Sequence, residues 1–206
     1  MSTNPILFKS IIFDLGGVII NLSVPDTFAA FARASGKSPD EVSKYASHHV
    51  FLDYEKGLTS DQQFREEVKS ILDWKADDEV FDHCWNAMLL DIPIERLQLL
   101  ERLKKEYRIY LLSNTNGIHL NKFNSILTDL TGRESMDHYF HKAYYSHRMK
   151  MRKPDTEIFE FVLKENQLNP AETLFLDDNV SNLEGAAQTG IQTFHVKSPD
   201  LIFSLF

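Results

Sequence analysis

Residues 10–20, SIIFDLGGVII, decide the fold. An apolar run of β-branched and aromatic residues climbs to one carboxylate, Asp14, and is broken at once by Gly16 and Gly17. Continuous apolar runs, as opposed to alternating ones, mark parallel strands covered on both faces. Ligands of open α/β sheets gather outside the carboxyl ends of such strands. Asp14 is therefore expected where chemistry is placed. The two glycines remove side-chain bulk beside it, so that a charged ligand can approach the main chain. For this stretch alone, a capped turn after a core strand is the simpler alternative.

From Leu22 to about Leu90 the pattern changes character. VPDTFAAFARASG, SPDEVSKYASHHVFLDYEKG, TSDQQFREEVKSILDW and ADDEVFDHCWNAMLL each repeat apolar residues at three- and four-residue spacing, the period of amphipathic helices. Ser38 with Pro39 and Glu41, and Ser60 with Gln63, read as capped helix starts, and Gly36 and Gly57 as stops. Phe28, Phe31, Phe64 and Trp85 are expected to form the core of this helical block.

From Asp91 helices and strands alternate. IPIERLQLLERLKK sets Ile94, Leu97, Leu100 and Leu103 on one helical face, and RIYLLSNTN is a strand ending in a polar loop. A helix is expected from about Ile118 to Leu127, then a short strand in FHKAYYS and a helix after Pro154. TLFLDD is a strand running into acids, VSNLEGAAQTG a small-residue helix stopped by Gly190, and IQTFHV a last strand. Such alternation predicts a mainly parallel sheet with right-handed crossovers. The expected architecture is α/β, a doubly wound core of residues 1–20 and 91–206, with a helical insert after the first strand.

Composition bounds the function. At 206 residues, 43% hydrophobic and 25% charged, the chain has the makeup of a globular protein, not of a disordered or fibrous one. A formal charge of −8 and a pI near 5.5 argue against a nucleic-acid partner, whose phosphates would be repelled, although a local basic patch can still hold one small anion. The single cysteine, Cys84, has no partner for an internal disulfide and reads as a buried thiol in a reducing, cytoplasmic setting. The N-terminal MSTNPILFKSII lacks a basic segment followed by a clean apolar stretch, so neither an export signal nor a membrane span is expected.

Polar groups collect at the ends of the predicted strands and in the loop after the third: Asp14, the run Ser113, Asn114, Thr115 and Asn116, Lys153, and Asp177 and Asp178 with Asn182 nearby. Strand ends on one edge of a parallel sheet lie together however distant they are in sequence. Carboxylates from two strands make a hard oxygen site suited to Mg²⁺, which is typically held by one or two carboxylates plus substrate phosphate. Asp14 can then attack phosphorus, because the metal and a cation offset the repulsion between carboxylate and phosphate. Lys153 suits that cation role, and Ser113 offers a hydroxyl to a phosphoryl oxygen.

FDLGGVII, LLSNTN, RKPDTEIF and LFLDDNVSN, in this order along nearly the whole chain, resemble motifs one to four of the haloacid dehalogenase-like (HAD) hydrolase superfamily. Within it the chain is similar to the small phosphatases of the glucose-1-phosphate phosphatase type and to the N-terminal phosphatase domain of soluble epoxide hydrolases. The resemblance implies a Rossmann-like core, residues 1–20 and 91–206, and a helical C1-type cap, residues 21–90. It also implies a Mg²⁺-dependent hydrolase of a small phosphorylated metabolite, with sugar phosphates among the candidates, acting as a monomer or small homo-oligomer. Carried over motif by motif, it makes Asp14 the nucleophile that forms an aspartyl-phosphate, Ser113 the phosphate-binding hydroxyl, Lys153 the cation and Asp178 a Mg²⁺ ligand. Asp177 and Asn182 support the metal site, while Gly16, Gly17 and Asn114 border the phosphate.

One position departs from the family pattern. A second Asp usually stands two residues after the nucleophile as general acid and base, and here that residue is Gly16. Its backbone carbonyl still serves the metal, but the proton transfer loses its group, typically worth ~10² to 10⁴ in rate. The alternative is a HAD-fold pseudoenzyme that binds a phosphorylated ligand or a protein partner. A haloacid dehalogenase proper needs no metal, a phosphomutase needs the missing acid, and an epoxide hydrolase needs a second domain that 206 residues cannot hold. The basic run His147, Arg148, Lys150, Arg152 and Lys153 reads as a solvated loop with only Lys153 turned inward. His48 and His49 are expected on different helix faces, and Phe51, Tyr54 and Glu55 are candidates for facing the site.

Overall fold

The computed structural model describes residues 8–206. Residues 1–7, assigned to the core from the sequence, lie outside the described residues. The sheet consists of β1 (Ser10–Phe13), β2 (Arg108–Ser113), β3 (Lys142–Tyr145), β4 (Thr173–Asp177) and β5 (Gln192–His195). Its order is β3-β2-β1-β4-β5 with every pairing parallel. Helices α1 (Val24–Ser35), α2 (Pro39–Ser43), α3 (His49–Glu55), α4 (Asp61–Ile71) and α5 (Asp78–Trp85) lie between β1 and β2. They are followed by α6 (Ile94–Glu106), α7 (Gly117–Thr131), α8 (Ser146–Met149), α9 (Thr156–Asn166) and α10 (Val180–Ala187).

The three central strands, β1, β2 and β4, alternate their side chains between two apolar layers, and this is why their sequences are mainly apolar, whereas the edge strand β5 is mostly polar. Ile11 and Phe13 of β1, Ile109 and Leu111 of β2, and Leu174 and Leu176 of β4 pack with Leu97, Leu100 and Leu103 of α6 and Phe123 and Leu127 of α7. Ile12, Tyr110, Leu112 and Phe175, the residues between them, face Ile158, Phe159 and Val162 of α9 and Leu183 and Ala186 of α10. A third cluster belongs to the inserted helices: Phe31, Val50, Tyr54, Phe64, Val68 and Phe81, with Ile118 of α7 packed against them. Cys84 is buried in the same cluster, its thiol pushed up by burial.

The chain enters and leaves the insert along one paired path. Asn21 donates its N–H to Asp91 (3.0 Å) and accepts from Leu90 (3.1 Å), and Leu22 and Leu89 form an antiparallel bridge. Buried Arg96 ties α6 to this path through the Ile19 carbonyl (3.3 Å) and the Asn21 side chain (2.8 Å).

Four expectations are corrected. Ile94, the first residue of α6, is 39% exposed; the stripe that meets the sheet begins one turn later at Leu97. Helix α7 continues past Leu127 to Thr131, a last turn that buries no apolar side chain because its one leucine, Leu130, is exposed, and it ends at Gly132 in the left-handed region. Phe28 and Trp85 are only half-buried, leaving Phe31 and Phe64 as true core. The rings of His48 and His49 lie together, centroids 4.3 Å apart, because His48 precedes α3 as its cap and does not share its periodicity. No helix among the described residues is long and apolar enough to cross a membrane.

Candidate active site

Strand register brings the sequence-predicted residues to one edge. Phe13 pairs with Leu176 and with Leu111, so Asp14 stands level with Asp177 at the end of β4, while Ser113 closes β2 on the other side. The Asp14 N–H continues the ladder to the Leu176 carbonyl (2.8 Å). Lys153 reaches the same point from the loop between β3 and α9. Its Nζ donates to Asp14 Oδ1 and to Asp177 Oδ2, both at 2.7 Å, and the side chain is 1% exposed.

Asn114 explains how a loop lysine is held so firmly. Its Oδ1 accepts the Lys153 N–H (3.0 Å) and its Nδ2 donates to the Lys153 carbonyl (2.9 Å), a two-bond grip on the backbone. The Asn114 side chain is thus committed to Lys153. Ser113 Oγ, by contrast, has only a long 3.5 Å bond to the Asn114 carbonyl.

Asp177 and Asp178 are adjacent in sequence and differ in surroundings. Asp177 is fully buried and saturated: Oδ1 accepts from the Asn179 N–H (2.8 Å) and Asn182 Nδ2 (3.1 Å), and Oδ2 from Asn182 Nδ2 (3.0 Å) and Lys153. Asp178 is exposed, and its carboxylate lies against Gly17, whose φ is +69°. A Cβ at Gly17 would come within 2.3 Å of Asp178 Oδ2, so the glycine makes room for this acid.

Oxygens of Asp14, Asp177 and Asp178 all lie within 4.8 Å of one another. Burial, with repulsion from Asp177 and Asp178, pushes the Asp14 carboxyl above the usual range against the pull of Lys153. Burial and Asp177 likewise raise Asp178. Burial would lower the Lys153 ammonium, but attraction to Asp14 and Asp177 outweighs it and holds its pKa above the ordinary value. Three carboxylates thus face one ammonium. Such a surplus of hard, negatively charged oxygen fits a divalent cation of the Mg²⁺ type.

Beside this edge the insert closes over a cavity of about 270 Å³. Gly16, Ser113 and Asn114 line it from the core, and Phe28, Phe51, Glu55 and Trp85 from the insert. Tyr54 does not reach it: its hydroxyl donates to Asp61 (2.8 Å) and accepts the Ile118 N–H (3.3 Å), pinning insert to core. The position two residues after Asp14 is a glycine and supplies no acid. A Cβ on Gly16 would meet Leu22 Cδ1 at 2.4 Å, so a leucine methyl occupies that space.

The basic run is only in part the solvated loop expected from its composition: Arg148 and Lys150 are exposed and Lys153 alone is buried, but His147 and Arg152 are half-buried. Arg152 is half-buried and its Nε and Nη2 both donate to Glu55 Oε2 (3.0 and 2.8 Å), while Lys150 Nζ donates to the Gly57 carbonyl and His147 Nδ1 lies 3.1 Å from the Thr115 carbonyl. His119, which the sequence did not single out, lines the cavity with Nδ1 taking a bond from Asn116 Nδ2 and Nε2 donating to the Trp85 carbonyl. Its position three residues into a helix capped by Asn116 was the available signal.

The sequence signature of the haloacid dehalogenase-like hydrolases matches residues 8–190. The D-ribitol-5-phosphate phosphatase of Bacteroides thetaiotaomicron is 31% identical over 189 residues, covering 91% of each chain. A HAD family enzyme of the same organism superposes with a TM-score of 0.87 at 34% identity, over 96% of this chain and 98% of that one. In wild-type form, complexed with magnesium and inorganic phosphate, that enzyme gives a TM-score of 0.84 at 34% identity, over 91% and 93% of the two chains.

Proposed function

The chain belongs to the haloacid dehalogenase-like hydrolases, and from that membership we propose that it is a Mg²⁺-dependent phosphatase of a small phosphorylated metabolite, working through an aspartyl-phosphate. The observation that carries this reading is the Asp14–Lys153–Asp177 chain at the sheet edge, with Asp178 beside it and the Ser113 hydroxyl opposite. The phosphatase and magnesium parts are also supported by the likeness to the D-ribitol-5-phosphate phosphatase and to the enzyme complexed with magnesium and inorganic phosphate.

Mg²⁺ held by Asp14, Asp178 and the Gly16 carbonyl would supply charge to offset the repulsion between a carboxylate and a phosphate dianion. Lys153 adds a second positive charge at Asp14, and Asn114 fixes it there through the backbone. Ser113 Oγ, free of any strong partner, donates to a phosphoryl oxygen. An Asp14 oxygen bonds to phosphorus as the ester P–O bond breaks and the alcohol leaves as its oxyanion, taking a proton from solvent. Water then attacks the aspartyl-phosphate, releasing inorganic phosphate and restoring the Asp14 carboxylate.

Turnover of p-nitrophenyl phosphate with Mg²⁺ tests this. Asp14→Asn, nearly isosteric, should fold and lose activity by several orders of magnitude, and substantial residual activity in a pure preparation would remove Asp14 from the role. A second reading, a phosphate-binding protein without turnover, draws on the leucine methyl in the space beside Gly16. Phosphate release from any monoester at rates dependent on Asp14 decides against it.

A further inference from the structure

The inference rests on the phosphatase reading and concerns the body of the ester. With phosphate at Gly16 and Ser113, the leaving group must lie in the cavity that these residues share with the insert. Its walls there are hydrocarbon: Leu22, Val24, Phe28, Phe51, Met88 and Leu89.

The polar side chains in that lining are already spent on one another. Thr27 Oγ1 donates to the Trp85 carbonyl (3.3 Å). Asn116 Oδ1 accepts from the His119 N–H (3.0 Å) and from Trp85 Nε1 (3.3 Å), and its Nδ2 donates to His119 Nδ1 (3.1 Å). His119 Nε2 donates to the Trp85 carbonyl (3.0 Å), and its ring stacks on the Trp85 indole at 4.7 Å. Glu55 gives Oε2 to Arg152 twice over. Beyond the phosphate-binding residues, Glu55 Oε1 and the Thr115 hydroxyl are the side-chain groups of the lining without a partner among the described residues, while the second N–H of Asn116 and the lone pairs of Thr27 belong to residues only 2% and 4% exposed.

We propose that the substrate is the phosphomonoester of a compact alcohol or phenol whose body is mainly hydrocarbon, bearing at most one or two hydroxyls, and not a polyol phosphate. A hydroxyl moved from water to such a wall without a partner weakens binding by about tenfold or more. A methylene moved there strengthens it roughly fourfold. The Leu22 methyl beside Gly16 carries the same hydrocarbon up to the reacting end.

Phosphonates read the chamber without requiring turnover. Calorimetric Kd values, with Mg²⁺ present, for n-alkylphosphonates from methyl to hexyl should tighten by roughly fourfold per methylene. A six-carbon polyol phosphonate, with at least three of its five hydroxyls left without a partner, should bind at least about a thousandfold more weakly than hexylphosphonate. Val24→Asn, at a side chain 47% exposed and so tolerant of change, and Phe28→Asn should each flatten the chain-length dependence. A flat series in the wild type, or a polyol phosphonate bound as tightly as the alkyl one, overturns the inference. If p-nitrophenyl phosphate is still hydrolysed in that case, the phosphatase reading stands. Failure of every phosphonate to bind, together with no turnover, overturns both.

Discussion

Gly16 and Gly17 adjoin the same carboxylate and act in opposite ways. Gly17 needs its left-handed backbone and its missing side chain so that Asp178 can come close, whereas Gly16 lies outside the left-handed region and only leaves space that Leu22 fills. The backbone at Gly16 therefore accepts a side chain once Leu22 is trimmed. Gly16→Asp with Leu22→Ala should raise kcat on alkyl phosphates toward the ~10² to 10⁴ of a positioned general acid, with little change for p-nitrophenyl phosphate, whose leaving group needs no proton. Gly16→Asp alone should gain less because its side chain must displace the leucine. No gain in the folded double variant would mean that another group already delivers the proton, with Glu55 the first to examine. His119 offers a pH test of the neighbouring wall. Burial pulls its pKa from 6.5 down to about 4 against the bond to the Trp85 carbonyl, so between those values the unfolded chain binds the proton that the native imidazole refuses. Stability then falls as pH drops through that window, by up to ~1.4 kcal/mol per pH unit. Urea unfolding at pH 7 and pH 5 should cost the wild type more than His119→Gln; equal losses would show that His119 is not the neutral pin between α7 and Trp85.

At the scale of elements, the basic segment after β3 is the clamp on the insert. Arg152 grips Glu55 at the end of α3, Lys56 pairs with Asp155 (2.9 Å), and Ser146 Oγ donates to the Glu55 carbonyl (2.7 Å). Helices and strands were legible because their apolar period states which face each buries, and parallel alternation then fixes the sheet. The clamp was not, since periodicity does not say which loop a helix end will meet, and Arg152 and Glu55 lie 97 residues apart. Partly exposed ion pairs contribute about 0.2–1 kcal/mol each. Arg152→Ala with Lys150→Ala should therefore speed amide exchange in α3 by roughly two- to thirtyfold while β1 and β2 keep their protection. Unchanged exchange in α3 would assign the hold on the insert to the buried Tyr54 and Ile118 contact instead.

Over the whole molecule, the acids and Lys153 could be found from sequence because topology alone gathers strand ends, wherever they lie in the chain. The Asn114 grip on Lys153, the leucine in place of an acid and the saturation of Asp177 could not, because each is decided by side-chain geometry within a few ångströms. That geometry gives Asp177 and Asp178 different consequences for stability. Folding sets three carboxylates against one ammonium, so a divalent cation that binds only the native state must raise Tm. At a hundred times its Kd it adds about 2.7 kcal/mol, or roughly 5–10 °C for a chain of this size. Asp178→Asn removes one repelling charge at an exposed position, so it should leave the metal-free Tm equal or higher and abolish the magnesium shift. Asp177→Ala should instead lower Tm with or without magnesium, by about 3–5 kcal/mol in stability, because Lys153 then stays buried with one partner. Thermal melts of the three proteins across a magnesium series separate these outcomes. A full magnesium shift in Asp178→Asn would move the metal site to Asp14 and Asp177 and leave Asp178 without a role.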